Sequence, residues 1–348
     1  MKILVIQKKR IGDVLTTTVL FEALKRKFPD AELHYLVYPN SLPVVQQHPQ
    51  IDQLVVFDPK TPHPMRYFIG KIWEIRKARY QVIIDAYGKP NSLFLAWMSG
   101  AKRIISFEKK KYKWLTTDSI VRKKSDFSIG TSAIDHRMQL LEPLGIPFEV
   151  LRPKIYLTEH ERIEAQHLLA QHGLKPTDSI WMISAIGSRD FKTYPLAYMA
   201  DLLAALIEVN PHASLLFNYE PQQQAEAQAL FEACSADVQS HIVKDLYVSD
   251  LRSFLAVLSY CRALMGNEGG ATNMAKALNI PTFSVYSPEV NKIGWDMFKD
   301  GHTHCSVHLH DFESAAETEG SHFLVKYDRF VPTLFIDQWQ AFVQRHSS

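Results

Sequence analysis

The chain has 348 residues, which is more than one ordinary domain needs and enough for two. Hydrophobic residues make up 46% and charged residues 22%, a composition typical of a globular protein and unlike that of a disordered chain. The formal net charge of +2 excludes a global electrostatic preference for nucleic acid. The three cysteines are far apart and odd in number, which argues against a disulfide framework and favours a reducing compartment.

Neither a leader sequence nor a membrane span is predicted. The chain enters a strand-like run, "MKILVI", without the apolar core of a signal peptide. Its apolar runs are all shorter than the roughly 18 to 20 residues that a bilayer span requires. We therefore expect a cytoplasmic protein that touches a membrane only at its surface.

The first half of the chain alternates short apolar strands with helical patterns, which predicts a doubly wound α/β domain. After a less regular region comes the pattern 157–173, which predicts an amphipathic helix with a capping signal near Thr158 and a stop at Gly173. The predicted strands are 2–6, 32–38, 53–58, 80–88 and 102–107, and the predicted helices are 14–28, 65–79, 91–100 and 131–145.

The alternation restarts after a linker-like stretch at 174–178 and predicts a second α/β domain. The predicted strands are 179–187, 213–218, 241–245, 262–266 and 281–287, and the predicted helices are 196–209, 221–234, 250–261, 271–279 and 332–346.

Two turns follow apolar strands and precede helices, where ligands bind in open α/β sheets. The first turn lies in "QKKRIGDVLTTT" (7–18), where Gly12 permits a tight turn and Asp13 stands at or near the start of a helix. Asp13 lies beside basic residues that include Lys8, and it suits two roles equally. It is either a helix cap or a general base held in place.

The second turn is "GNEGGATNMAKAL" (266–278). Gly269 and Gly270 let a backbone come close to a ligand, and a helix beginning near Ala271 offers free N–H groups and a positive dipole end to a phosphate. The stretch is not a P-loop, and no G-x-G-x-x-G follows the first strand.

Five segments resemble, in the same order, the motifs of glycosyltransferase family 9, the lipopolysaccharide heptosyltransferases. Together they span most of the chain, which makes the resemblance specific. The segments are "IGDVLTTTVLFEALKRKFPDAELHYLV", "YQVIIDAYGKPNSLFLAWMSGAKRIISF", "SAIDHRMQLLEPLGIP", "SRDFKTYP" and "GNEGGATNMAKALNIPTFSVYSP".

The resemblance implies a GT-B architecture, in which two Rossmann-like α/β domains face each other and the last helix crosses back to the first domain. On this basis we expect an acceptor-binding domain at 1–173, a nucleotide-sugar-binding domain at 174–330 and a C-terminal helix at 331–348 that packs on the first domain.

The resemblance also implies an inverting sugar transfer, with Asp13 as the general base and Lys192 stabilising the diphosphate leaving group. The implied substrates are an ADP-heptose-type donor and an anionic inner-core glycolipid of the Kdo–lipid A type, met at the cytosolic face of the inner membrane. No D-x-D sequence is present, so we expect neither a metal nor another cofactor. The implied donor-binding residues are Ser188, Arg189, Glu268, Gly269, Gly270, Ala271, Thr272 and Asn273. The implied acceptor-binding residues are Lys9, Arg10, Gly12, Arg103 and Lys111.

Departures from the family pattern fall at positions that sense the sugar. Glu268 replaces an Asp, Asn273 and Thr16 each replace a His, and Tyr194 replaces a Trp. The longer carboxylate of Glu268 moves its oxygens by roughly 1.5 Å, and about 1 Å already matters in a site. The pattern therefore favours sugar transfer more strongly than heptose itself. It leaves open a different nucleotide-sugar, or a catalytically silent binding or scaffold protein.

Other features have an ordinary structural explanation beside a functional one. Lys192, Ser188 and Arg189 also suit a solvated turn, and Asp85 suits the cap of a turn after its strand. The "HTHCSVHLH" stretch (302–310) lies in a predicted loop and lacks a standard zinc spacing.

A basic run over 102–124 suits a solvated face or an anionic leaflet, whereas no motif supports nucleic-acid binding. The run contains Lys102, Arg103, Lys109, Lys110, Lys111, Lys113, Arg122, Lys123 and Lys124, with Tyr112 and Trp114 among them.

Overall fold

The structure is a computed structural model that describes residues 1–123, 132–248, 250–313 and 323–347. Contacts between Cα atoms divide the chain into two compact units, Met1–Tyr156 and Leu157–Ser348. Each unit contains one parallel sheet with helices packed on it. Both units are therefore α/β, as the alternating pattern of strands and helices predicts.

The first unit has a six-stranded parallel sheet in the order β3-β2-β1-β4-β5-β6. Its strands are β1 (Lys2–Ile6), β2 (Glu32–Val37), β3 (Gln53–Val56), β4 (Val82–Asp85), β5 (Arg103–Phe107) and β6 (Asp118–Ile120). Its helices are α1 (Ile11–Thr17), α2 (Val19–Lys27), α3 (Pro64–Lys77), α4 (Pro90–Met98) and α5 (Ser132–Met138), with 3₁₀ turns at Pro39–Val44, Lys110–Leu115 and Gln139–Leu144.

The strand order reverses at β1, which has β2 on one side and β4 on the other. Since parallel crossovers are right-handed, α1 and α2 cover one face of the sheet and α3 and α4 cover the other. The carboxyl ends of β1 and β4 therefore flank the switch point, where open α/β sheets bind ligands.

The predicted helix 14–28 is two helices, because the chain breaks at Thr18. The hydroxyl of Thr18 donates to the Leu15 carbonyl at 2.7 Å, and such back-bonding competes with the helical pattern. The predicted helix 131–145 begins at Ser132 among the described residues and tightens into a 3₁₀ turn that contains Pro143. Strand β6 was not predicted, since only three residues form it.

The second unit has a five-stranded parallel sheet in the order β11-β10-β9-β7-β8. Its strands are β7 (Ser179–Ser184), β8 (Ala213–Asn218), β9 (Ala263–Asn267), β10 (Thr282–Val285) and β11 (His304–Val307). Its helices are α6 (Glu159–Gln171), α7 (Leu196–Val209), α8 (Gln224–Ala233), α9 (Ala236–His241), α10 (Leu251–Leu258), α11 (Gly270–Ala277), α12 (Phe323–Arg329) and α13 (Ile336–His346).

Helix α6 belongs to the second unit, although the predicted boundary lay after Gly173. The helix begins with the predicted capping box at Thr158 and packs on α10. Its Glu161 carboxylate accepts a hydrogen bond from Arg252 at 2.6 Å, and this bond lowers the pKa of Glu161 to about 2. These contacts move the division between the units to Tyr156.

Helix α13 packs against α7, and its Trp339 is fully buried in the core of the second unit. The Trp339 ring contacts Phe283 of β10 edge-on at 5.2 Å between centroids. All of these contacts lie within the second unit, so the predicted packing of the last helix on the first domain stays a prediction.

Two predictions for the second unit are wrong. The segment 241–245 is not a strand, since α9 runs to His241 and only one bridge, between Leu215 and Ile242, follows it. The "HTHCSVHLH" stretch is not a loop throughout, because its central residues His304–Val307 form the edge strand β11 beside β10. Its His304 lies within 3.2 Å of the Thr282 hydroxyl. Among the described residues, no group of three His, Cys, Asp or Glu side chains is placed to hold a metal ion.

The described part of the chain was also searched for membrane spans. None of its helices combines the length and the apolar character that crossing a bilayer requires.

Candidate functional site

Helix α1 presents Asp13 at the carboxyl edge of the first sheet, directly after β1. Asp13 is the third residue of the helix and makes no capping hydrogen bond, so its predicted role as the helix cap is wrong. The residue before the helix is Arg10, which takes a left-handed φ of 64°. Gly12 lies inside the helix, so the tight turn depends on Arg10 and not on Gly12. A left-handed backbone costs a residue with a Cβ about 1 kcal/mol.

Arg137 of α5 holds the Asp13 carboxylate. Its Nη2 donates to Asp13 Oδ1 at 2.6 Å, and its Nε donates to the Thr17 hydroxyl at 3.0 Å. Among the described residues, none donates a hydrogen bond to Asp13 Oδ2. Sequence reasoning missed Arg137 because 124 residues separate it from Asp13. The available signal was its place in the "SAIDHRMQLL" segment, and α5 packs on both α1 and α2.

One hydrogen bond from β2 fixes α1 on the sheet, and two side-chain hydrogen bonds lie within the helix itself. The buried Tyr35 of β2 donates its phenolic hydrogen to the Val14 carbonyl at 2.8 Å. The hydroxyls of Thr16 and Thr17 donate to the Asp13 carbonyl at 3.1 and 2.7 Å. Thr16 is fully buried in α1, so it does not lie in the loop where the family pattern placed it.

Two buried charges lie at the carboxyl ends of β1 and β4, and sequence reasoning did not pair them. Lys8 is 0% exposed, and its ammonium lies 4.1 Å from the centroid of the Phe57 ring. Burial lowers the pKa of Lys8 to about 8 and raises the pKa of Asp85 to about 6. Asp85 Oδ1 accepts the Gly88 N–H at 2.9 Å, which confirms its predicted turn-capping role. Lys8 Nζ and Asp85 Oδ2 have no hydrogen-bond partner among the described residues.

Three of the predicted acceptor residues are exposed. Lys9 and Arg10 lie on the loop between β1 and α1, next to Asp13 in sequence. Lys111 lies in the 3₁₀ turn after β5, with its ammonium 5.8 Å from the Tyr112 ring centroid. Lys124 of the predicted basic run lies outside the described residues.

Arg103 does not fit the predicted acceptor site. It begins β5 and therefore lies at the amino edge of the sheet, opposite the edge that carries Asp85. Its guanidinium donates to Asp118 Oδ1 at 2.8 Å and to the Pro143 carbonyl at 3.0 Å. The Asp118 carboxylate raises the pKa of Arg103 further. Arg103 therefore braces β5 against β6, and we remove it from the proposed acceptor site.

In the second unit, Lys192 and Glu268 form an ion pair, with 2.6 Å between Nζ and Oε1. Lys192 ends a short 3₁₀ turn (Asp190–Lys192) in the loop after β7, and Glu268 directly follows β9. The two loops meet because β7 and β9 are neighbours in the sheet. The sequence predicted Lys192 and Glu268 as separate residues of the donor site, and the structure shows that they bind each other.

Asn267 and Gly187 hold these two loops together, and neither was predicted. The Asn267 amide donates to the carbonyls of Ser184 and Ala185 at 2.9 and 2.8 Å, and its oxygen accepts the Tyr194 N–H at 2.7 Å. A Cβ on Gly187 would lie 2.3 Å from the Lys192 carbonyl oxygen. The position therefore requires glycine so that the segment carrying Lys192 can fold back on it.

Helix α11 begins at Gly270, with Gly269 before it, one residue earlier than predicted. A Cβ on either glycine would lie more than 4 Å from every other described residue outside its own helix and chain neighbours, so the space beside them is open. Ala271 and Thr272 are buried, and the Ser284 hydroxyl donates to that of Thr272 at 3.4 Å. Their side chains are therefore not available to a ligand, although the N–H groups of the first turn are.

The remaining predicted donor residues differ in exposure. Ser188 and Arg189 are exposed in the loop before Lys192, and the Arg189 carbonyl accepts the Lys192 N–H at 2.8 Å. Asn273 is partly exposed in α11. The structure thus places Ser188 and Arg189 on one loop with Lys192, and Asn273 on the helix that follows Glu268.

The sequence profile of glycosyltransferase family 9 (heptosyltransferase) matches residues 70–319, which is more than half of the chain. Lipopolysaccharide heptosyltransferase 1 of Campylobacter coli is 22% identical over 296 residues, covering 82% of this chain and 84% of that protein. A family 9 glycosyl transferase from Veillonella parvula DSM 2008 superposes with a TM-score of 0.79 at 18% identity, covering 98% of this chain and 97% of that one.

The ADP-heptose lipopolysaccharide heptosyltransferase II of Escherichia coli superposes with a TM-score of 0.73 at 17% identity, and both chains are covered completely. At these identities the structural likeness shows the fold, which is GT-B with two parallel-sheet α/β domains. The family match adds the enzyme class. The chain belongs to glycosyltransferase family 9, the heptosyltransferase family, and is a glycosyltransferase.

Proposed function

We propose that this glycosyltransferase moves a heptose from an ADP-sugar to an inner-core lipopolysaccharide acceptor of the Kdo–lipid A type, with inversion at the transferred carbon. The names of its relatives support both substrates, since they include an ADP-heptose lipopolysaccharide heptosyltransferase and a lipopolysaccharide heptosyltransferase 1. The acceptor lies in a membrane, so the enzyme works at the cytosolic face of the inner membrane.

The observation that carries the proposal is the geometry of Asp13. Arg137 and the α1 backbone fix its carboxylate, and Oδ1 is bound while Oδ2 lacks a partner among the described residues. In the proposed reaction Oδ2 accepts the proton of the acceptor hydroxyl as the hydroxyl oxygen attacks the anomeric carbon of the donor. The bond between that carbon and the diphosphate oxygen breaks on the opposite face. Lys9 and Arg10 lie beside Asp13 in sequence and suit an anionic acceptor.

Lys192 and the first turn of α11 suit the leaving diphosphate. The ammonium offsets the charge that develops on the diphosphate oxygen, and the N–H groups near Gly270 add the positive end of the helix dipole. Open space beside Gly269 and Gly270 admits the phosphates. Glu268 orients Lys192 at 2.6 Å and has a second carboxylate oxygen that suits a hydroxyl of the donor.

A donor screen tests the proposal. The purified chain is titrated calorimetrically with ADP-heptose, ADP-glucose, UDP-glucose and ADP. Donors that bind are then incubated with purified Kdo–lipid A, and the product mass is measured. We expect ADP-heptose to bind and to add one heptosyl unit, with the new linkage inverted by NMR. Addition from another donor alone would reject heptose and retain sugar transfer.

One observation favours a second candidate function, a catalytically silent binding or scaffold protein. Glu268 cancels the charge of Lys192, which a diphosphate clamp needs. If no nucleotide or nucleotide-sugar in the screen binds, the silent protein is the better description.

A further inference from the structure

Helix α3 exposes an apolar stripe to solvent. Met65, Ile69 and Trp73 are 70%, 48% and 67% exposed. They are spaced four residues apart and so lie on one side of the helix. Isolated exposed apolar residues are ordinary on a protein surface, but an aligned stripe that contains a tryptophan is not.

The stripe does not serve the fold of the first unit. The other side of α3 already supplies Ile72 and Ile75 to the hydrophobic core, with Phe68 packed against it. The helix is therefore apolar on two sides, of which the sheet covers only one. The outer side meets no partner among the described residues of this unit.

A second group of exposed aromatic side chains lies on α4 and on the 3₁₀ turn after β5, and it reaches α3 through Phe68. The Phe68 ring of α3 stacks on the Phe94 ring of α4, the Phe94 ring contacts that of Trp97, and the Trp97 ring contacts that of Trp114. The distances between the ring centroids are 6.3, 5.9 and 5.5 Å in that order. Trp114 is 64% exposed, and Phe94 and Trp97 are also exposed. We use the term aromatic patch for Met65, Ile69, Trp73, Phe94, Trp97 and Trp114.

Positive charge surrounds the aromatic patch. The segments 64–77, 90–98 and 109–115 carry eight basic residues and one acidic residue, a formal charge of +7 in a chain whose net charge is +2. The acidic residue, Glu74, is paired with Lys71 at 2.7 Å. Arg66, Lys77 and Lys110 are exposed.

We propose that the aromatic patch docks the enzyme on the surface of a bilayer that contains anionic lipid. Tryptophan favours the boundary between headgroups and acyl chains, and aliphatic side chains such as Met65 and Ile69 enter the acyl region. The surrounding lysines and arginines complement the negative potential of the leaflet. This docking deepens the proposed function and rests on the membrane location given there, but its test requires neither the glycolipid acceptor nor a particular sugar.

The observations favour a bilayer over two other partners. A second copy of the patch would bring two surfaces of charge +7 together, which opposes self-association. Single-stranded nucleic acid would stack its bases on the aromatic rings alone and would leave Met65 and Ile69 exposed to water. A bilayer accepts the aliphatic, aromatic and basic side chains together.

Vesicle flotation tests the proposal with the full chain. The vesicles are phosphatidylcholine alone, or phosphatidylcholine with 30% phosphatidylglycerol, and contain no glycolipid acceptor. We expect binding to the anionic vesicles and little binding to the zwitterionic ones. Trp73→Ser with Trp114→Ser should weaken binding by roughly ten-fold or more, because both side chains lose their apolar contact with the bilayer. Lys77→Gln with Lys110→Gln should weaken it by about 25-fold, since each basic residue near an anionic surface contributes a factor of about five.

Matched variants of the second unit serve as controls. Trp295 is an exposed tryptophan, and Lys175 and Lys299 are exposed lysines. Trp295→Ser, and Lys175→Gln with Lys299→Gln, should bind anionic vesicles as the natural chain does. Equal loss in the controls, or no loss in the patch variants, would overturn the proposal.

Two further measurements separate the other partners. If Trp73→Ser with Trp114→Ser abolished a dimer in sedimentation velocity while vesicle binding stayed unchanged, the patch would be a self-interface. If the same double variant lost binding to poly(U) while its vesicle binding stayed unchanged, the patch would be a nucleic-acid site. Either result would overturn membrane docking. ADP-heptose binding, measured separately, reports on the proposed function alone.

Discussion

Each unit places one ion pair at the carboxyl edge of its sheet, with 2.6 Å between the charged atoms in both. In the first unit the carboxylate, Asp13, is the proposed reacting group, and the cation, Arg137, supports it. In the second unit the cation, Lys192, is the proposed reacting group, and the carboxylate, Glu268, is its partner. The same contact therefore serves opposite chemical purposes in the two units.

The two pairs also differ in what they leave available. Arg137 divides its guanidinium between Asp13 and Thr17, and so it orients a carboxylate while binding only one oxygen. Lys192 has a single point charge, which Glu268 offsets. Arg137 thus orients the reacting group of the first unit. Glu268 orients the reacting group of the second unit and also neutralises its charge. Four predictions test this difference, and a fifth concerns the buried carboxylate of Asp85 in the first unit.

The largest effect is expected from Asp13→Asn. The amide keeps an oxygen for Arg137 but cannot accept the proton of the acceptor hydroxyl. We expect kcat to fall by about 10³-fold, with donor binding retained. Steady-state kinetics and calorimetry measure the two quantities. Asp30→Asn, at an exposed position of the same unit, is the control and should match the natural enzyme. Normal turnover by Asp13→Asn would remove Asp13 as the base.

Replacement of Lys192 by methionine should lower kcat/KM by about 10²-fold, because the leaving diphosphate loses its positive charge. ADP binding should weaken as well, and calorimetry measures it. Lys175→Met changes an exposed lysine of the same unit and should leave both values unchanged. Unaltered kinetics in Lys192→Met would contradict the clamp role.

Arg137 variants ask whether its role is to position Asp13. Arg137→Met should lower kcat by roughly 10- to 100-fold, because the carboxylate is no longer fixed, while KM for the donor changes little. Arg137→Lys keeps the charge and one donor but loses the fork, and it should recover part of kcat. A uniform loss of folded protein in both variants, measured by circular dichroism, would indicate a structural role only.

Glu268→Gln tests the neutralising role in the second unit. The amide removes the negative charge beside Lys192, so ADP should bind about five- to ten-fold tighter at low salt. Calorimetry at two salt concentrations measures the gain, which should shrink as salt rises. Unchanged or weaker ADP binding would show that Glu268 orients Lys192 without opposing the diphosphate.

The last prediction concerns Asp85, whose carboxylate is buried and has no ion-pair partner among the residues that the structure describes. Burial raises its pKa in the folded state to about 6 from 3.8. The folded protein therefore binds more protons than the unfolded chain between these values, and its stability falls as pH rises through them. Asp85→Asn removes this fall, so the variant should gain stability relative to the natural chain as pH rises, by about 3 kcal/mol between pH 4 and pH 7.

Hydrogen exchange of the β1 and β4 amides, corrected for the intrinsic rate at each pH, measures this difference. Asp30→Asn should run parallel to the natural chain from pH 4 to pH 7. Parallel curves for Asp85→Asn would show that the buried carboxyl is already compensated.

The alternation of apolar strands and helical patterns was sufficient to predict most of both sheets. Helix α7 and strand β8 begin and end where predicted, because long amphipathic runs and flanking Pro or Asn residues leave little choice of boundary. The break at Thr18 was missed. It accompanies hydrogen bonds from three threonine hydroxyls to backbone carbonyls, and these bonds form because the threonines are buried, which the sequence pattern did not indicate. Strand β11 was missed because its alternating histidines suggested a polar loop.

The family motifs suggested a chemistry for the candidate site but not its contacts. The motifs singled out Asp13, Lys192 and Glu268 as residues of interest. They did not indicate that Arg137 binds Asp13, or that Arg103 braces β6. They also did not predict that Lys8 and Asp85 lie buried at adjacent strand ends, with Lys8 Nζ and Asp85 Oδ2 lacking a hydrogen-bond partner among the described residues.

By itself the sequence determined the fold class, the family and the residues that can carry a charge into the reaction, because these depend on local pattern and residue type. The tertiary structure alone decided which charges meet. Asp13 and Arg137 are 124 residues apart, and Lys192 and Glu268 are 76 apart. Their pairing follows from which strands and helices become neighbours, and the burial that shifts the pKa values of Lys8 and Asp85 follows from how the whole unit packs around them.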